Sequence, residues 1–267
     1  ILEEGRNSPA DVFIAQDAGA LGALEKAGRL AKLPAHVLSL VDERLQSADG
    51  RWVAISGRAR VVAYSTNALS VDDLPESIWG FTDPKWRGKI GWAPTNASLQ
   101  AFVTALRVLE GDERAKAWLK GIQANEPKVY ANNAVAVEAV GRGEIQVAFV
   151  NHYYLFRFLK EQGESFPARN YHTRGDAGAM VNVAGVGILD TSKRPEAARQ
   201  FVEFLLSKRA QEYFANETTE YPVVTSYNLP LHPELKPLDE IAAPDLDLND
   251  LDDLEGTLEL MQEVGVL

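Results

Sequence analysis

Strand-like and helix-like segments alternate along this chain with no repeat period, and that alternation constrains the fold more than any other feature. "DVFIA" (Asp11 to Ala15) is an apolar run of strand length, and "AGALGALEKAG" after it predicts a helix ending at Gly28. "RWVAISGRARVVAYST" alternates apolar and polar residues around Gly57, the pattern of an extended strand or strand pair. "VDDLPESIWGFTDPKWRGKI" is a loop-rich connection punctuated by Pro75, Gly80 and Pro84. "IGWAP" predicts a strand, "TNASLQAFVTALRVLEG" a capped helix closing at Gly111, and "DERAKAWLKGIQAN" a further helix. "VYANNAVAVEAVGRGE" is a strand end, an Asn turn and a helix, followed by the strand "IQVAFV" and the helix "LFRFLKEQG". "AGAMVNVAGVGIL" is small and apolar, as in a buried strand. "RPEAARQFVEFLLSKRAQEYFAN" predicts one long amphipathic helix with Pro195 in its first turn. The acidic tail ends in a helix whose first turn carries acids, which suits the helix dipole.

This order predicts an α/β protein whose helical crossovers imply mostly parallel sheets. In such sheets ligands sit at the carboxyl ends of strands, against helix N-termini. Three junctions of that kind carry polar residues: Pro94-Thr95-Asn96-Ala97-Ser98, Asn132-Asn133, and Asn151-His152-Tyr153-Tyr154.

Composition narrows the function. The chain has 267 residues, room for one large domain or two lobes. Its formal net charge of -11 argues against nucleic acid as a partner. Cysteine is absent, which removes disulfides, zinc–thiolate sites, iron–sulfur clusters and Cys nucleophiles together. No apolar run approaches the roughly 20 residues of a membrane-spanning helix. Asp245, Asp247 and Asn249 alternate like a calcium loop, but Asp250 stands where that loop needs glycine, so a helix cap is the better reading. Neither G-x-G-x-x-G nor G-x-S-x-G occurs.

The paired tyrosines Tyr153 and Tyr154 raise the sharpest question. Side by side on a strand they would face opposite ways. In the first turn of a helix they stand about 100° apart and can converge on one ion. A free phenol has a pKa of about 10, so a hard trivalent cation such as ferric iron must displace its proton. A helix N-terminus favours the resulting negative charge. The other two junctions offer backbone N–H groups and small polar side chains suited to an anion. Aromatic packing at a helix start is the alternative for the tyrosine pair, and His152 is expected at the surface.

"SPADVF", "SGRARVVAYST", "DPKWRGKIGWAPTNAS", "YANNAVAVEAVGRGE", "VNHYYLF", "RPEAARQFVEFLLS" and "EYPV" occur in this order. Together they resemble the ferric-iron-binding periplasmic proteins of ABC importers, over nearly all of the chain except the acidic tail. The resemblance implies a bilobal type II periplasmic-binding-protein fold, two α/β lobes with a hinge and an interlobe cleft. It implies a binding protein rather than an enzyme. Tyr153 and Tyr154 match the family's phenolate ligands of Fe3+. Thr95, Asn96, Ala97 and Ser98, with Asn133 and Asn151, match its pocket for a synergistic carbonate or phosphate. Gln16 stands where some members carry a Glu ligand, and a neutral amide is a poor substitute for that carboxylate. The implied partner is an importer permease in the membrane. The implied location is periplasmic or extracellular and membrane-associated, and the implied state is a monomer.

Two rivals stand beside this reading. One is a binding protein of the same superfamily for an organic ligand: a phosphonate, a polyamine or a thiamine-like molecule. The other is a hydrolase or transferase with an Asp/Glu pair that no spacing singles out. The lobes are expected to interleave, with 1–60 and 184–232 forming the first and 61–183 and 233–267 the second. The opening "ILEEG" reads as the last turn of a helix closed by a glycine. It leads to the expectation of an upstream strand and helix, with any targeting signal beyond them.

Overall fold

The computed structural model describes residues 1–267. It begins with strand β1 (Val12–Ala15), helices α1 (Ala18–Lys26) and α2 (Ala35–Leu38), and strand β2 (Trp52–Ser65). Strand β3 (Ile90–Trp92), helices α3 (Ala97–Glu110) and α4 (Asp112–Ala124), and strand β4 (Lys128–Val129) follow. Helix α5 (Asn133–Gly141), strand β5 (Val147–Asn151), helix α6 (Tyr153–Gln162) and strand β6 (Ala168–Tyr171) come next. Strand β7 (Val181–Ile188) and helices α7 (Pro195–Leu205), α8 (Lys208–Asn216) and α9 (Leu254–Glu263) complete the order. Two units result. Unit 1 comprises Ile1–Arg58, Asn182–Pro237 and Asp247–Asp253; unit 2 comprises Ala59–Val181, Leu238–Leu246 and Leu254–Leu267.

In unit 1, β1 runs antiparallel to β7, with Val12 opposite Ile188 and Ala15 opposite Gly185. Asp17 caps α1 by accepting from the Ala20 amide at 3.0 Å, and Leu21 and Leu24 of α1 are buried. The segment Asp247–Asp253, expected in the second lobe, packs in unit 1 instead. Its anchor is the small-residue face of α1. A Cβ on Gly19 would meet the Leu251 carbonyl oxygen at 2.3 Å, so only glycine admits the tail there. Leu248 and Leu251 are buried by this contact, and Lys26 pairs with Asp252 at 3.0 Å.

The single long helix expected over 194–216 is broken into α7 and α8. Ser207 starts α8 as its N-cap. Just inside it Gln211 is wholly buried, donating to the carbonyls of Ile55 (2.8 Å) and Leu205 (3.0 Å) and accepting from the Val223 amide (2.8 Å). A buried amide satisfied on both ends fixes the break.

In unit 2 the later half of β2 pairs antiparallel with β5, Arg60 opposite Asn151, and antiparallel with β6, Val62 opposite Tyr171. Only β3 makes parallel pairs, with β4 and β5. The expectation of mostly parallel sheets is therefore corrected. Helical crossovers join β3, β4, β5 and β6 in turn, but β2 lies between β5 and β6 and runs antiparallel to both. Strand β2 also differs from its half-exposed alternating pattern: all 14 of its residues are buried, including Ser56, Arg58 and Arg60. Phe102 and Trp118 (ring centroids 4.9 Å apart) and Phe81 and Phe149 (5.5 Å) fill the core between helices and sheet. Helix α9 is tied to α3 by the Thr104–Thr257 hydroxyl pair at 2.8 Å.

Candidate functional site

Three helices of unit 2 start directly after strands or turns, and each start is fixed by its own sequence. Asn96 caps α3: its Oδ1 accepts from the Ser98 amide at 3.0 Å and from the Ser98 hydroxyl at 2.8 Å. Asn132 caps α5 by accepting from the Val135 amide at 3.0 Å, which makes Asn133 the first helical residue, fully buried. The amides of such first turns have no acceptor within the helix.

Helix α6 begins differently. His152 has helical backbone angles and provides no side-chain cap. It is fully buried rather than at the surface, a correction to the sequence expectation. Its Nδ1 accepts from the Ala59 amide at 3.0 Å, and its own amide donates to the Ala59 carbonyl at 3.0 Å. Its carbonyl accepts from Asn170 Nδ2 at 2.8 Å. His152 thus clamps the start of α6 to β2 and β6, and Tyr153 and Tyr154 occupy the first two helical positions. Their rings lie 4.5 Å apart at 37°, half-buried and side by side.

A polar network joins these starts. Asn133 Nδ2 donates to Ser98 Oγ at 2.8 Å and to Asn96 Oδ1 at 3.3 Å. Asn151 Nδ2 lies 3.5 Å from the Tyr153 hydroxyl. Beneath them sits Arg60, which sequence reading missed. Its guanidinium donates to the Phe149 carbonyl (2.8 Å), Ser98 Oγ (3.1 Å) and Asn151 Oδ1 (3.4 Å). In the sequence it is one of two arginines, with Arg58, on the polar positions of an alternating strand, and only its register opposite Asn151 brings it to the cluster. Burial pulls the Arg60 pKa down to about 9, opposed by attraction to Tyr154 and Tyr153, so it stays charged at neutral pH.

The expected residues divide as follows. Asn96, Ser98, Asn133, Asn151 and Tyr153 meet in one hydrogen-bonded cluster, with Tyr154 stacked beside it. Thr95 and Ala97 are exposed at the start of α3, where Ala97 has only its backbone to offer. Gln16 belongs to unit 1, with an exposed side chain; its carbonyl accepts from Arg58 at 2.8 Å, and Arg58 is ion-paired to Glu220. No group of three His, Cys, Asp or Glu side chains is placed to hold a metal. The hard oxygen donors in unit 2's cluster are phenols, set among hydroxyl and amide donors around a buried cation. Such a set can bind an oxyanion and, through deprotonated phenols, a hard metal ion.

Residues 7–249 match the family model for bacterial extracellular solute-binding proteins. The major ferric iron-binding protein of Neisseria meningitidis serogroup B is 37% identical over all of this chain and 81% of its own length. Iron-bound HitA from Pseudomonas aeruginosa superposes with a TM-score of 0.93 at 38% identity, covering 99% of this chain and 86% of that one. Trichodesmium IdiA (FutA), in complex with iron and citrate, gives 0.84 at 29% identity over 98% of this chain and 85% of its own. With this family match spanning most of its length and relatives of this identity covering it throughout, the chain belongs to the bacterial extracellular solute-binding proteins and has the periplasmic-binding-protein fold.

Proposed function

We propose that this chain is an extracytoplasmic binding protein that captures ferric iron with a synergistic anion and hands it to the permease of an ABC importer. It binds and releases its cargo without chemical conversion. Tyr153 and Tyr154 are the metal ligands, as phenolates. A carbonate or phosphate occupies the pocket formed by Thr95, Asn96, Ala97 and Ser98 with Asn133 and Asn151, and fills metal positions the tyrosines leave. The protein works as a monomer in the periplasm or at the outer face of a membrane; no helix is long and apolar enough to cross one.

The observation that carries this reading is the pair of phenols at the start of α6, beside a buried guanidinium and two further helix starts. The buried positive charge and the helix N-termini beside it favour an oxyanion. The names of the relatives, which bind ferric iron, support it. One observation favours a second reading, an organic ligand such as a phosphonate, polyamine or thiamine-like molecule: the neutral Gln16 offers no carboxylate to a trivalent ion.

Calorimetric titration with ferric citrate, in buffers with and without phosphate and carbonate, separates the two. Ferric binding that strengthens when either anion is supplied supports the first. No ferric binding in any buffer, with tight binding of thiamine or a phosphonate, establishes the second.

A further inference from the structure

Arg60 is the most demanding group to bury in unit 2. It is 3% exposed, and a guanidinium removed from water is costly unless it is ion-paired. No carboxylate pairs with it. Its donors go to three neutral acceptors instead, the Phe149 carbonyl, Ser98 Oγ and Asn151 Oδ1, while its Cζ lies 5.5 Å from the centre of the Phe102 ring. Two of the three acceptors belong to residues assigned above to the ligand pocket.

Each contact removes a freedom from the pocket. A serine hydroxyl has one hydrogen to donate and two lone pairs. Ser98 donates to Asn96 Oδ1 at 2.8 Å and accepts from Asn133 Nδ2 at 2.8 Å and Arg60 at 3.1 Å, so its rotation is fully determined. Asn151 can present either end of its amide to a neighbour. With Oδ1 engaged by Arg60, the Nδ2 end is the one turned to the Tyr153 oxygen. That N–H is therefore a donor aimed at the oxygen of a proposed ligand.

We propose that Arg60 is a positioning residue of this site: it orients the Asn151 amide so that its N–H faces Tyr153, and it locks the Ser98 hydroxyl toward Asn96. The inference rests on the ferric reading for its purpose. Its structural half, the orientation of Asn151 and Ser98, is testable without iron.

The experiment compares full-length wild type with Arg60→Met and Arg60→Lys, each confirmed folded by thermal unfolding. In the metal-free proteins the side-chain amide resonances of Asn151 are followed by NMR; ferric citrate is then titrated in. Arg60→Met should move the Asn151 amide resonances and weaken ferric binding roughly ten- to a hundredfold, the worth of hydrogen bonds to a charged group. Arg60→Lys keeps the charge but loses the fork, and should recover part of the affinity. Unmoved Asn151 resonances in a folded Arg60→Met protein, or unchanged ferric affinity, overturn the proposal. Should Arg60→Met not fold, Arg60→Lys decides alone, with wild-type resonances and affinity again overturning it. A wild type that binds no iron refutes the functional reading instead, and the Asn151 resonances still decide whether Arg60 orients the amide.

Discussion

Ser98→Ala removes one oxygen from the polar network and leaves everything else in place. The lost hydroxyl accepts from Arg60 (3.1 Å) and Asn133 (2.8 Å) and donates to Asn96 (2.8 Å). Asn96 Oδ1 keeps the Ser98 amide at 3.0 Å, so its loss is small. The Arg60 contact is charge-assisted and contributes about 1.5–3 kcal/mol, the neutral Asn133 contact about 1 kcal/mol. Ser98 is half-buried, so water can replace part of this. The net expectation is a destabilisation of about 2–3 kcal/mol, or a fall in Tm of roughly 5–10 °C for a chain of this size. Tryptophan fluorescence in urea is the assay, because Trp79, Trp86, Trp92 and Trp118 lie in unit 2 and only Trp52 in unit 1. Ser165→Ala is the control: its hydroxyl makes one exposed contact, to the Gln162 carbonyl at 3.3 Å, and its loss should cost less than about 0.5 kcal/mol. A Ser98→Ala protein as stable as the control would refute the claim that the hydroxyl ties these helix starts together.

Gly19→Ala should destabilise unit 1 by about 2 kcal/mol or more, because its Cβ would fall 2.3 Å from the Leu251 carbonyl; faster amide exchange over 247–253 would show the tail displaced, and unchanged protection would contradict the packing. Burial raises the Tyr221 phenol above its ordinary value. Its folded pKa exceeds the unfolded value of about 10, so from there upward the unfolded state ionises first and stability falls with rising pH. Tyr221→Phe should lose about 1 kcal/mol at neutral pH with the Lys236 carbonyl contact (2.6 Å), yet show a shallower alkaline decline in urea titrations; parallel pH profiles would refute this. Each phenol that becomes a ligand gives up a proton, so ferric affinity should fall as pH drops, measured against a chelator corrected for its own protonation; a flat profile would exclude phenolate ligation.

Much of the element order was legible because its signals are local. Asn96 and Asn132 precede apolar helical runs, and both are N-caps. The tyrosine pair at a strand-to-helix junction was legible for the same reason, from "QVAFV" before it and "LFRF" after it. What escaped depends on partners distant in sequence. Arg60 reads as the polar half of an alternating strand until β5 is known to lie against it. His152 reads as a surface residue until Ala59 offers it both an amide and a carbonyl. The tail looks like part of the segment that follows it until the glycine face of α1 provides a berth. Parallel pairing was inferred from helical crossovers, and the insertion of an antiparallel β2 between β5 and β6 has no local signature.

That Tyr153 and Tyr154 bind ferric iron as phenolates is tested most directly by visible absorption. Wild type and the Tyr153→Phe/Tyr154→Phe double variant are titrated with ferric citrate in the presence of phosphate. Removing two hydroxyls conserves nearly all packing, so both proteins should be folded. The wild type should develop a phenolate-to-iron charge-transfer band that saturates at one iron per chain, and the double variant should show none and bind iron orders of magnitude more weakly. The same band at the same affinity in both would contradict the assignment.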